Sequence, residues 1–409
     1  MKIRSITFFL NPNWPLDVDR IRKSGEFLAE ARLIFEKAGY EVQTTRLATV
    51  PFPQLLGSHL EREAVQFALE LEQQARMAGF DYISLGPALP GVMESYAVIP
   101  QILTIAPAIF LGGVMADAQA GISLPAVRAC ARTIRDLAPI TPDGFTNLRF
   151  AALANVPPGS PFFPAAYHAG DEPAFALATE AADLIVDAVS EADSLEQARR
   201  RIVSALEDHS ARLGQVSEAL ATRFQIEFKG IDFSPAPFPS RECSLGDAVE
   251  RLGIPALGLP GTLAGMAFLA ESIDRARFSR TGFSGLMLPV LEDAVLAERA
   301  AEGSLTITDL LLYSAVCGTG LDTIPLPGDV TEEQLAAVLL DLAALAQRLE
   351  KSLTARLMPV PGKIAGDPTG FDFAFFANSR VMTIRSQPLV GLFSSDEIFD
   401  LKARIRPAS

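Results

Sequence analysis

Cysteine is scarce in this chain. Three residues in 409, Cys130, Cys243 and Cys317, are scattered without a Cys-x-x-Cys pair. That argues against a secreted disulfide scaffold and fits a reducing compartment. Basic charge is also in deficit: 35 Lys and Arg face 49 Asp and Glu, for a formal net charge of -14. No nucleic-acid partner is expected, because phosphate binding needs a concentrated basic surface. The one basic triplet, Arg199-Arg200-Arg201, falls in a helical stretch and reads as a solvated face. Acidity by itself implies mainly solubility and self-repulsion. Long apolar runs are missing too. Ile102 to Val114 is too short and too broken by Pro and Gly for a bilayer span, so no membrane partner is expected. Met1-Lys2-Ile3-Arg4 leads into a strand-like run rather than a signal peptide, and the expected location is the cytoplasm.

Several motifs of known chemistry are absent. Gly258-Leu-Pro-Gly261-Thr-Leu-Ala-Gly265 lacks the Gly-Lys-Ser/Thr of a P-loop and the spacing of a dinucleotide fold; close helix packing explains it better. His59, His168 and His209 do not pair at metal-ligand spacing, and no Gly-x-Ser-x-Gly elbow occurs. The sequence therefore names no metal and no cofactor.

What is present is a large core-forming content, 49% hydrophobic residues, with 29 Gly and 29 Pro spread as turn punctuation. No linker or short repeat stands out, so residues 1–409 are expected to form a single α/β domain. Roughly 380–409 reads as a tail or an oligomer contact, consistent with a homodimer. The N-terminal half alternates strand and helix. Strands are expected at Ile3–Leu10, Glu41–Leu47, Tyr82–Leu85, Ala108–Leu111 (closed by Gly112-Gly113) and Leu148–Ala154. Helices are expected at Asp17–Lys37, Leu60–Met77 and Leu124–Leu137. Such alternation implies parallel strands joined by crossover helices. Farther on, Glu172–Val189 and Leu195–Leu213 read as helices, Phe224, Ile226 and Phe228 as an alternating strand, and a stripe from Leu335 to Leu353 as a helix opened by a Thr331/Gln334 capping box.

In parallel α/β folds chemistry gathers in loops after strand ends. Four segments qualify. The first runs from Asn147 through Arg149, Asn155 and a Pro-rich turn to Tyr167-His168. Arg149 and Asn147 are candidates for placing an anion, with Asn155 beside them, and His168 for proton transfer; a structural ion pair and a hydrogen-bonded His are the plain alternatives. The second is Gly230–Pro239, where Asp232 could hold a cation or orient a base and Ser234 could bind ligand, or both could close a turn. The third joins an apolar strand, Phe283–Leu291, to Glu292-Asp293 at a helix start, a place that favours acids through the helix dipole alone. The fourth, Val316–Asp329, is read as a loop between helices carrying Cys317, Asp322 and Asp329. Cys317 is a nucleophile only if a neighbour activates it; Asp322 is a candidate base or cation ligand; Asp329 equally suits the positive end of the next helix.

These same segments, GIDFSPAPFP (Gly230–Pro239), FSGLMLPVLEDA (Phe283–Ala294) and VCGTGLDTIPLPGD (Val316–Asp329), together with NPNWPLD (Asn11–Asp17), resemble the family catalogued as domain of unknown function 711, or uncharacterised protein family 0210. The resemblance implies a closed α/β barrel of ten strands with outer helices, similar to pyruvate formate-lyase and other glycyl-radical enzymes. Their chemistry does not carry over, because Ser379-Arg380-Val381-Met382-Thr383 has no radical glycine. The expectation is an enzyme acting on a small anionic metabolite at the barrel mouth, or a protein that binds one without turnover. Asp322, Asp232, Cys317 and His168 are the catalytic candidates. Asn147, Arg149, Asn155, Ser234, Glu292, Asp293 and Asp329 are the ligand-binding ones.

Overall fold

The structure, a computed structural model, describes residues 1–403. Residues 404–409, the end of the expected tail, lie outside the described residues. The strands are β1 (Lys2–Leu10), β2 (Val42–Thr49), β3 (Tyr82–Ser84), β4 (Ile109–Asp117), β5 (Gly121–Ser123), β6 (Phe150–Ala154), β7 (Ala174–Glu180), β8 (Glu227–Ala236), β9 (Gly320–Pro327), β10 (Leu353–Val360) and β11 (Ile398–Phe399). They form one eleven-stranded sheet in the order β8-β7-β1-β2-β3-β4-β6-β10-β9, with β5 and β11 attached beside β4.

Expected alternation and observed pairing agree in the first half. β1, β2, β3, β4 and β6 are parallel neighbours, and the connecting helices Val18–Lys37, Leu60–Met77 and Leu124–Leu137 cover them. Two antiparallel joins then extend the sheet at either side: β7 against β1, and β10 against β6. The sheet is not closed by a ladder, since β8 and β9 end the path without pairing to each other. The irregular segment 279–290 reaches between them, with isolated bridges from Arg280 to Ile231 and from Pro289 to Asp322. A ladder-closed barrel of ten strands is therefore not what the hydrogen bonds draw.

Four local expectations are corrected. Gly112-Gly113 does not end β4, which continues to Asp117; a Cβ at Gly113 would stand 2.8 Å from the Cys130 sulfur, so the glycine lets a helix approach the strand. Glu172–Val189 is not one helix but β7 followed by the helix Ala182–Ser190. The helix from Leu195 continues to Phe224, so the strand signal of Phe224, Ile226 and Phe228 reaches β8 only at Glu227. The stripe ending at Leu353 splits into the helix Glu332–Leu349 and β10, a strand the sequence reading lacked. The capping box at Thr331 and Gln334 is formed as expected.

The largest correction concerns Val316–Asp329. Its centre is not a loop but β9, buried along its whole length. Pro325 and Pro327 fit there because, among the described residues, β9 ladders only with β10, and an edge strand needs no donors on its far side. That side instead accepts: the Asp322 carbonyl takes the Val290 N–H and the Pro325 carbonyl takes the Met382 N–H.

Candidate functional site

A cavity of about 400 Å³ lies against the sheet, within the usual range for small-molecule sites. Its wall draws on β1, β2, β3, β4, β7, β8 and β10. The sheet thus curves around it. Tyr82, Phe110, Phe145, Phe162, Phe163, Phe373 and Phe375 make the wall largely aromatic. Against this apolar surface stand three guanidinium groups carried by strands, Arg4 of β1, Arg46 of β2 and Arg356 of β10, with Arg149 as a fourth from the turn before β6.

Two of the three belong to a buried ion cluster. Glu292 Oε2 accepts from Arg4 at 2.5 Å and its Oε1 accepts from Arg356 at 2.7 Å. Arg356 Nε donates to Asp322 Oδ1 at 2.5 Å. Burial pushes the Glu292 carboxyl up, but Arg4 and Arg356 outweigh it and hold the group below its ordinary range. Burial raises Asp322 against the pull of Arg356, and Glu292 adds to the rise. Asp322 lies behind Arg356 rather than on the wall, and its Oδ2 has no hydrogen-bond partner among the described residues.

Arg46 differs. No ion pair holds it among the described residues. Its Nε donates to Thr44 Oγ1 at 2.9 Å, and its guanidinium lies 5.0 Å from the centre of the Phe163 ring. Burial pushes its pKa down, to about 9, and neighbouring Arg4 adds to that; the group is still charged at neutral pH. Arg356 stands 5.8 Å from Phe162 in the same way. Pro161, Phe162 and Phe163 all line the cavity, so the Pro-rich turn after β6 reaches inward and presents rings to two arginines.

Asp232 and Ser234 of β8 also line the cavity. Asp232 Oδ1 accepts from the Ser234 hydroxyl (2.6 Å), the Ser234 N–H (3.1 Å) and the Ser284 N–H (2.9 Å), and Oδ2 from the Phe283 N–H (3.0 Å). Burial nevertheless raises its pKa. Gly282 is required at this join: it has φ +62°, and a Cβ there would meet Asp232 Oδ2 at 2.1 Å.

Of the residues singled out in the sequence, Asp232, Ser234, Glu292 and Arg149 reach the cavity wall, with Asp322 one side chain behind it. Arg149 spends its guanidinium on the carbonyls of Leu103, Ala106 and Ile109, closing the end of the helix Ile99–Ile105. The others stand elsewhere. Asp293 caps the helix Ala294–Glu302 and also accepts from Leu245 N–H, Gly246 N–H and the Ser244 hydroxyl. Asn155 donates to the Ala346 carbonyl and accepts from Gln347. Asn147 is fully buried beside wall residues Phe145 and Leu148, with neither amide atom partnered among the described residues. His168 is buried near Phe9, ring centres 6.2 Å apart, and burial lowers its pKa. Cys317 lies in a separate hollow of about 220 Å³ with Asp274 and Lys351. Asp329 is exposed.

Comparison with known proteins agrees with the resemblance read from the motifs. The family model described as "Uncharacterised ACR (DUF711)" matches residues 1–377. The chain belongs to this family. A UPF0210 protein of Pyrobaculum arsenaticum is 33% identical over 358 residues, 82% of this chain and 78% of that protein. Another, from Syntrophobacter fumaroxidans, is 28% identical over 404 residues, 94% of this chain and 87% of its own length. The DUF711 match takes in every wall residue of the cavity, from Arg4 to Phe375.

Sequence reasoning missed Arg4, Arg46 and Arg356. A signal for them existed: each is a lone Arg inside a short strand, KIRSITFFL, VQTTRLAT or LTARLMPV. A cation there needs a counter-charge or a ligand. No cluster of His, Cys, Asp and Glu able to hold a metal ion occurs among the described residues, and no helix among them is long and apolar enough to cross a membrane.

Proposed function

We propose that this protein binds a small organic anion in the sheet-lined cavity and moves a proton on it. Arg46 carries the binding half. It is a half-buried cation on the wall with no carboxylate in contact among the described residues. A cation drawn partly out of water against an aromatic wall loses hydration with no counter-ion to offset it, and an anionic ligand supplies one. Arg4 assists, since its Nη1 is buried and without a partner among the described residues. The proton-transfer half rests on Asp232 and Glu292, two wall carboxyl groups whose pKa values are pushed in opposite directions, up by burial and down by two arginines. Such a split is how one site holds an acid and a base at one pH. Asp322 serves in this reading as a positioning residue, through Arg356.

The barrel resemblance belongs to the same proposal. Wall residues come from strands across the sheet, and segment 279–290 spans its two edges. Both features support a barrel enclosure similar to that of pyruvate formate-lyase, without a glycyl radical. A second reading, binding without turnover, is favoured by the four hydrogen bonds that already occupy Asp232.

Thermal-shift screening with small carboxylates and phosphates tests the binding half. An organic anion is expected to raise Tm in the wild-type protein and not in Arg46→Met. No shift with any anion, or equal shifts in both proteins, overturns it. Saturable binding with no product, and no change in exchange of ligand protons with solvent between wild type and Asp232→Asn, removes the proton-transfer half and leaves the second reading.

A further inference from the structure

The wall can be read for the shape and charge of what it holds, and this step rests on the anion-binding reading above. Charge comes first. Arg4 and Arg356 are matched by Glu292 and Asp322. Arg46 is the one wall guanidinium that the described residues leave without such a match, apart from Arg149, which is bonded to three backbone carbonyls. Counting Arg149 and the wall carboxylate of Asp232 as well, four guanidiniums face three carboxylates, which leaves one negative charge for a ligand to supply. A dianion such as phosphate would set its second charge against Glu292 with nothing to offset it.

Geometry comes second. The Nε of Arg46 is spent on Thr44, which leaves the two Nη groups as a fork. A fork of that kind matches the two oxygens of a carboxylate. In the strand register Arg46 lies beside Tyr82. The Tyr82 ring is 5.3 Å from Phe110, and Phe110 is 5.5 Å from Phe163. A body attached to that carboxylate therefore lies against a continuous surface of rings, and ring-on-ring contact favours a flat aromatic group over an aliphatic one.

We infer that the ligand is an aromatic monocarboxylate, its carboxylate on Arg46 and its ring against Tyr82 and Phe110. Isothermal titration of the full chain with 3-phenylpropanoate, propanoate, 3-phenylpropanamide and inorganic phosphate tests this. Burying a phenyl group and making a charge-assisted fork are each expected to contribute ~10-fold or more in affinity. So 3-phenylpropanoate should bind at least ~10-fold tighter than propanoate, phosphate or the amide. Arg46→Met should bring the acid down to the level of the amide, and Phe110→Ala should narrow the gap between 3-phenylpropanoate and propanoate. If propanoate or phosphate binds as tightly as 3-phenylpropanoate and Arg46→Met abolishes both, the aromatic inference falls and the anion reading stands. If no acid binds, or Arg46→Met binds like wild type, both fall.

Discussion

Arg46 and Arg149 are both half-buried arginines on the wall of one cavity, and their surroundings are opposite. Arg149 faces the end of a helix and gives its N–H groups to the carbonyls of Leu103, Ala106 and Ile109. Arg46 faces an aromatic wall and, among the described residues, gives only its Nε, to Thr44. One side of the cavity is finished by the chain itself, whereas the other carries a charge with no counter-charge in contact among the described residues. The lesson is that burial alone does not mark a functional cation; what its N–H groups are bonded to decides.

Substitutions on the two sides of the cavity should separate structural from ligand-binding arginines. The largest effect is expected from Arg356→Met, which strands Glu292 and Asp322 in the interior. Removing one partner of a buried pair costs about 3–5 kcal/mol, so urea unfolding should show a large loss, and an unchanged midpoint would mean the cluster is not formed. Next is Arg149→Met. It leaves helix-end carbonyls unsatisfied at a cost of about 1–3 kcal/mol, while ligand affinity should stay as in wild type. Lost affinity with unaltered stability would reverse the roles given to the two arginines.

A smaller effect is expected from acid. Glu292 sits below its ordinary 4.5 in the folded protein. The unfolded chain therefore binds protons first as pH falls, and the stability from Glu292 is complete above about 4.5 and lost as pH drops through the folded value. Tm measured from pH 6 to 3 should fall less steeply in Glu292→Gln, although that variant starts from a lower Tm. An identical slope would show that other carboxylates govern acid unfolding. The smallest stability effect belongs to Arg46→Met, within about 1 kcal/mol of wild type or slightly stabilising, since no carboxylate loses a partner. A loss as large as that of Arg149→Met would show that Arg46 is structural.

Much of the fold was legible where local chemistry was explicit. Asp17 caps its helix, Gly39 follows its end, and Thr331 with Gln334 forms the reciprocal box. Legibility failed where local and tertiary signals disagree. Gly320 to Pro327 has the residues of a turn, yet burial against β10 and accepting bonds on its far side make it a strand. Ala174–Glu180 has helix-forming alanines and a glutamate, but pairing with β1 and β8 overrides that propensity. The site was half legible for a related reason. Asp232, Glu292 and Asp322 stood in punctuated segments, whereas Arg4 and Arg46 sat inside expected strands, where an alternating charge reads as a solvent-facing position, and Arg356 sat in a strand that the sequence did not show. Only the curvature of the sheet turns that face inward.

The Arg4–Glu292 contact joins residues 288 positions apart. On a ribosome adding about 5–20 residues per second, Arg4 waits roughly 15–60 s for its counter-charge to be made. Until then its guanidinium must stay hydrated, so the early strands β1 to β4 can pair while the face that becomes the cavity remains wet. Phe373 and Phe375 arrive later still. The pocket is thus among the last things this chain acquires, and a truncated or stalled product presents its arginines and rings to solvent instead of to a ligand.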